Sequence, residues 1–229
     1  MLTPLEAEAL SLSLKVATWS VAISLPFGIA IAWLLARTRF PGRMLLDGIV
    51  HLPLVVPPVA VGYLLLVTLG RQGVIGAWLF DTFGVTLVFT WQGAAIAAAV
   101  MSFPLMVRAV RLSIDAVDQR LETAARTLGA GPLKVFFTIT LPLTTPGILT
   151  GAVLAFARAL GEFGATITFV SNIAGETRTL PIALYTLVQS PGGEDAALRI
   201  VGISVALALI AMLASELIAR RVARRLGRK

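Results

Sequence analysis

Apolar and polar positions along this chain fall into long blocks, without the short period of an amphipathic surface helix. A helix that crosses the hydrocarbon core of a bilayer needs about 20 mostly apolar residues. Five segments reach that length. The first, about 16–36, is uncharged between Lys15 and Arg37, and the second, about 46–69, carries Asp47 and His51 near its start. The third, about 85–107, holds no charge, and the fourth, about 142–160, has Arg158 close to its end. The fifth, about 200–219, has Glu216 near its end. The pattern predicts an all-α integral membrane protein, with residues 1–229 as one polytopic domain and about five transmembrane helices. The stretch 163–175 is apolar but too short to span. It reads either as an extension of the fourth span or as a re-entrant element at the outer face.

Charge adds an orientation. The breaks after the first and third spans and the tail after the fifth hold fourteen of the nineteen Lys and Arg residues, all on one side of a five-span chain. They include Arg37, Arg39 and Arg43, then Arg108, Arg111, Arg120, Arg126 and Lys134, then the tail from Arg220 to Lys229. The other side has only Lys15, Arg71, Arg178 and Arg199. Basic loops stay cytoplasmic, so the N-terminus is expected in the periplasm, the C-terminus in the cytoplasm, and the loop 108–141 inside. The acidic start, with Glu6 and Glu8, lacks the basic region of a secretory signal, so the first apolar segment is expected to remain as an anchor.

Composition narrows the chemistry. The chain is 57% hydrophobic and 14% charged, with a mean hydropathy of +0.90, against about 25% charged in soluble domains. The net charge of +7 would suggest nucleic acid in a soluble protein, but here it follows topology, and no nucleic acid partner is expected. With no Cys and a single His, disulfides and thiolate metal sites are excluded, and neither a metal site nor a cofactor is expected. No Gly-Lys dipeptide occurs, so no Walker A loop is present to cradle phosphates. One His in a membrane span also leaves no Ser-His-Asp set. The chain is therefore expected not to be an enzyme, and if ATP drives it, another polypeptide binds the nucleotide.

Three features inside the spans invite a role. Pro53, Pro57 and Pro58 remove backbone donors from the second span. Broken helices persist in membranes where they are buried in protein or line a cavity, so these prolines form either a pathway-lining gate or a static kink. Gly147, Gly151, Ala155 and Ala159 recur at four-residue spacing, the pattern of close helix packing, either within the chain or between two copies. Arg158 and Glu162 stand at i and i+4 beside that face, as an internal ion pair or as a substrate contact.

Within the polar break, Thr123-Ala124-Ala125-Arg126-Thr127-Leu128-Gly129 is followed after nine residues by Ile139-Thr140-Leu141-Pro142. This spacing resembles the EAA loop of ABC importer permeases, in which Ala-Ala, a Gly four residues later and a distal Ile-x-Leu-Pro recur. The departure is Thr123, which stands where the family has Glu, with Glu122 one residue early. Further blocks extend the likeness over about residues 10–220. They are the Leu52-Pro53-Leu54-Val55-Val56-Pro57-Pro58 run, Gly62-Tyr63-Leu64-Leu65-Leu66, Leu69-Gly70-Arg71-Gln72-Gly73 and Gly161-Glu162-Phe163-Gly164-Ala165. Together they resemble the molybdate permeases of bacterial ABC importers, with sulfate/thiosulfate permeases as near relatives.

That resemblance implies a type I ABC importer transmembrane domain in the bacterial inner membrane. It also implies a short cytoplasmic coupling helix that docks on the ATP-hydrolysing subunit through Thr123, Ala124, Ala125, Gly129, Ile139, Leu141 and Pro142. The small residues would let two backbones approach closely. Two copies of an ATP-binding subunit, a second copy of this chain and a periplasmic oxyanion-binding protein are the implied partners. Sulfate, thiosulfate or tungstate is the alternative cargo. An ATP-independent carrier or channel, or a scaffold without transport, is the alternative of another class.

Overall fold

In the computed structural model, which describes residues 2–225, every regular element is helical. The first helices are α1 (Pro4–Arg37), α2 (Arg43–His51), α3 (Pro58–Leu69), α4 (Val74–Phe83), α5 (Trp91–Asp115) and α6 (Gln119–Thr127). A rod over Pro132–Leu160 comprises α7 (Pro132–Val135), a π-helical turn (Phe136–Thr140) and α8 (Leu141–Leu160). Then come α9 (Gly164–Val170), α10 (Leu180–Val188) and α11 (Glu194–Arg225). Four of these stretches are long and apolar enough to cross a membrane: α1, α5, the rod and α11. The second predicted span, about 46–69, is present as a bent pair.

The bundle is organised around α5, which lies along α1 on one side and α8 on the other. Small side chains make that approach possible. Ala94, Ala95, Ala97 and Ala98 are buried on α5, and Gly151, Ala155 and Ala159 are buried on α8. A Cβ added at Gly147 would come within 2.1 Å of the Ser113 Cβ, and one at Gly151 within 3.1 Å of the Met106 carbonyl oxygen. The small-residue stripe is thus an intrachain seam between α8 and α5. At one end of the bundle the Lys15 ammonium lies 3.7 Å from the Trp91 ring centroid, which joins α1 to the start of α5.

The second span, expected as one stretch over 46–69, is broken. Residues Leu52–Leu54 form a 3-10 turn, and the axis bends by 111° between Arg43–Leu54 and Pro58–Leu69. Pro57 adopts an extended ψ of 135° and α3 begins afresh at Pro58. A residue before proline is pushed out of the helical region, and proline itself offers no N–H.

Other boundaries also shift. The sequence places the third span at 85–107, but helix α5 starts at Trp91, where the Thr90 side chain accepts the Gly93 N–H at 3.2 Å and caps it. It continues to Asp115, so Arg108 and Arg111 belong to the helix and not to the loop. The apolar stretch 163–175 contains the short α9, separated from α8 by a break at Gly161 and packed on α3 and α5. The nine-residue α10, too short to register as a span, packs on α11 and α1. The basic tail residues Arg228 and Lys229, used for orientation, lie outside the described residues.

Candidate functional site

The polar break folds into a short helix on a turn. Asp118 caps α6 by accepting the Arg120 N–H at 2.9 Å, which puts a carboxylate against the helix N-terminus. At the other end the Gly129 N–H donates to the Arg126 carbonyl and the Ala130 N–H to the Ala125 carbonyl, both at 3.0 Å. This is the paired closure that needs a left-handed residue just past the helix. Gly129 supplies it with φ of 85°. The place of Gly129 in the sequence pattern is therefore conformational: it ends α6 and turns the chain toward α7.

One face of α6 looks outward. Leu121 is 49% exposed and Leu128 is 88% exposed, with Ala124 exposed and Ala125 half-buried between them. Positions 121, 124, 125 and 128 share one face of a helix, so α6 presents an apolar strip to its surroundings. Thr123 is exposed and donates its hydroxyl to the Gln119 carbonyl at 3.0 Å.

Glu122 faces the other way, at 5% exposure. Its Oε1 accepts from Arg37 Nε at 3.1 Å and from Thr140 Oγ1 at 2.8 Å. Arg37 Nη2 donates in turn to the carbonyls of Ile114 at 2.9 Å and Val117 at 3.3 Å. One buried ion pair, with side chains 7% exposed on both partners, therefore ties α6 to the end of α1, the end of α5 and the π turn. Charge-assisted bonds of this kind are the strong class, and the arrangement fastens α6 to three other elements of the bundle.

The Ile-x-Leu-Pro block explains the π turn. Pro142 has no N–H to offer the preceding turn, and the Leu141 N–H reaches back to the Phe136 carbonyl, five residues away. A wider turn absorbs the missing donor, and such turns often mark functional positions. Thr140 is thereby buried against Glu122, while Ile139 and Leu141 are half-buried and Pro142 is exposed. Leu141, Phe136 and Phe137 also line an apolar cavity of 510 Å³ with Pro26, Ile29 and Trp33 of α1.

The pathway candidates divide into two groups. Pro58 meets the Gly161-Glu162-Phe163-Gly164-Ala165 element directly: a Cβ on Gly164 would lie 2.8 Å from the Pro58 Cβ. A Cβ on Gly62 would lie 2.5 Å from the Ala165 carbonyl oxygen. The break in the second span and the break after α8 thus form one joint between α3 and α9. Pro57 is exposed beside it, whereas Pro53 faces a groove with Phe27 and Phe103. Arg158 Nη1 donates to Glu162 Oε2 at 2.7 Å, and Glu162 Oε1 accepts the Ala165 N–H at 2.9 Å. Glu162 is therefore occupied twice inside the chain, holding Arg158 and capping α9, which is the internal ion-pair reading of these residues.

Sequence reasoning missed Arg37 and Thr140 as partners of the loop. Arg37 counted only as a topological charge, although its place at the end of the first span put it on the same side of a five-span chain as the polar break. Glu122 stood out as one residue out of register, and its inward direction is the structural content of that shift.

The family described as binding-protein-dependent transport system inner membrane component matches residues 24–229. The chain is 65% identical over 228 residues to the molybdenum transport system permease protein ModB of Escherichia coli K12, covering 100% of both chains. It is 55% identical over 223 residues to the protein of that name from Haemophilus influenzae, covering 97% of both. Among solved structures it is similar to a bacterial ABC transporter involved in the import of the acidic polysaccharide alginate. That match has a TM-score of 0.76 at 20% identity and covers 96% of this chain and 80% of the other, a likeness of fold.

Proposed function

Because the chain belongs to the family of binding-protein-dependent transport system inner membrane components, we propose that α6 is the element through which ATP hydrolysis in a separate subunit drives it. The protein is the permease subunit of a molybdate ABC importer, a multi-pass protein of the inner membrane. It works with an ATP-binding subunit and a periplasmic binding protein. The observation that carries the coupling role is the exposed strip of Leu121, Ala124 and Leu128 on a helix locked to three other elements by Arg37, Glu122 and Thr140. A contiguous apolar surface outside the membrane calls for a partner, and a rigid mount transmits force where a loose one would absorb it.

Two copies of this chain enclose the path and two ATPase subunits bind at their α6 helices. ATP binding closes the ATPase pair, carries the two α6 helices toward each other and opens the outer side by rigid-body rotation. This chain contributes the path and the lever and performs no hydrolysis itself. The joint between α3 and α9, where two broken helices meet, is the element that opens. Charge asymmetry supports an N-terminus in the periplasm and a C-terminus in the cytoplasm. A reporter active only in the periplasm should be silent when fused after Lys229 and active when inserted near Glu176. A bright signal at the tail would reverse the orientation and remove α6 from the compartment that holds ATP.

The cargo is tested by uptake of labelled molybdate and sulfate in a strain deleted for the gene. High-affinity molybdate uptake should disappear while sulfate uptake persists. A molybdoenzyme defect should follow, and excess external molybdate should relieve it through routes of lower affinity. Loss of sulfate uptake with molybdate uptake intact would assign the permease to sulfate instead.

A further inference from the structure

Outside the coupling site, a polar cavity of 370 Å³ opens between α2 and α5, lined by Asp47, His51, Arg108, Arg111, Leu112 and Asp115. Positions 108, 111, 112 and 115 share one face of α5, and 47 and 51 share one face of α2. Two helix faces therefore bring their ionisable groups together at the end of the bundle that carries α6.

The groups are unequally satisfied. Arg111 Nη1 donates to both carboxylate oxygens of Asp47 at 3.1 Å, and its Nε stands 3.9 Å from Asp115 Oδ2. His51 Nδ1 lies 2.9 Å from the Asp47 carbonyl oxygen and 3.2 Å from Asp47 Oδ1. Two acceptors at that nitrogen require it to carry the proton. Arg108 is exposed to the cavity and has no hydrogen-bond or ion-pair partner among the described residues. It lies seven residues inside the end of α5, a distance of about 10 Å along the axis. A guanidinium without a carboxylate partner keeps its fork of N–H donors available to an anion that enters the cavity. Asp115, at the open end, is 48% exposed on its side chain and solvated.

We propose that this cavity is a weak binding site for the transported oxyanion at the inner mouth of the path, with Arg108 as its principal ligand and Arg111 as its second. The proposal rests on the reading of the chain as an oxyanion permease. A planar fork of N–H donors suits a tetrahedral oxyanion bound through two oxygens. Arg111 already spends part of its donors on Asp47, so the pair of arginines holds a dianion without trapping it. The site is distinct from Arg158, whose charge is committed to Glu162.

The test is equilibrium binding of labelled molybdate to the complex of this permease with its ATP-binding subunit, without the periplasmic protein, in phosphatidylcholine vesicles. Saturable binding should appear, and tungstate and sulfate should compete for it. Arg108→Gln should lower the affinity about tenfold or more, as expected for loss of a charge-assisted pair, and Arg108→Lys should fall between. Arg71→Gln, a change at the opposite end of the bundle, should leave binding unchanged. Arg108→Gln removes no hydrogen bond among the described residues, and an unchanged melting temperature would show that it folds. Absence of saturable binding, or binding that Arg108→Gln leaves intact, would overturn the proposal. So would displacement by phosphatidylglycerol but not by sulfate, which would assign the cavity to a lipid headgroup. ATP-driven uptake by the complete wild-type system is scored separately. If it persists while the binding result fails, the permease reading stands and only this site falls.

Discussion

Arg37→Ala should abolish ATP-driven uptake while the protein still reaches the membrane. The substitution strands the Glu122 carboxylate at 5% exposure with Thr140 as its remaining donor, and it releases the carbonyls of Ile114 and Val117. Breaking a buried pair by removing one partner costs about 3–5 kcal/mol, because a buried charge is left without compensation. That is enough to shift the population of the locked geometry on the order of a hundredfold or more. Glu122→Ala should do the same from the other side, leaving Arg37 with only backbone acceptors. Both variants should show ATP hydrolysis that no longer responds to the loaded binding protein, since α6 would dock and yet slip against the bundle. The pair Arg37→Met with Glu122→Leu should regain thermal stability, since apolar replacements of a buried pair are often neutral or better. Coupling should recover only as far as α6 is again held to α1 and the π turn. Normal coupled transport by Arg37→Ala would show that the ion pair does not hold the lever.

The second large effect is expected at the joint between the broken helices. Gly62→Ala adds one methyl group, but it would sit 2.5 Å from the Ala165 carbonyl oxygen and 2.9 Å from the Ala165 Cα. Both are backbone atoms of α9, so no side-chain rotation relieves the clash and one helix must move off the other. Overpacking costs roughly 1–3 kcal/mol where side chains can give, and here the penalty should reach or exceed the top of that range. Uptake should be lost and the detergent-purified protein should melt at a lower temperature. Gly48→Ala is the control: it lies in α2, where a new Cβ meets nothing within 4 Å. Alanine favours helix over glycine by about 1 kcal/mol, so that variant should be as stable as the parent or more so. Equal behaviour of the two substitutions would remove the argument that α3 and α9 meet by backbone approach.

Much of this architecture is legible in the sequence because its strongest determinant is one-dimensional. Length and apolarity alone locate the spans, and the spacing from Ala124 to Pro142 locates the loop that becomes α6. What stays hidden depends on partners distant in the chain. Arg37 and Glu122 are 85 positions apart, and nothing local says that they meet. Pro57 and Pro58 announce a break, but its 111° angle is set by how Gly62 and Gly164 let α3 lie on α9. Arg108 and Arg111 read as loop because charge was taken as the end of the span. Asp47 from α2 and the cavity between the helices allow α5 to carry them to Asp115. Gly129 shows the same limit in miniature: its place was legible, while its reason, a left-handed turn that closes α6, follows only from the backbone.

The account as a whole turns on whether this chain moves molybdate only when a separate ATPase works on it. The most direct measurement is molybdate accumulation in sealed proteoliposomes. They would hold the permease and its ATP-binding subunit, with the binding protein on one side and ATP on the other. Accumulation should require all three proteins and ATP, stop with orthovanadate, and disappear with Arg37→Ala. Equal accumulation by the permease alone, without the ATPase or nucleotide, would make the chain a carrier or channel and contradict the account.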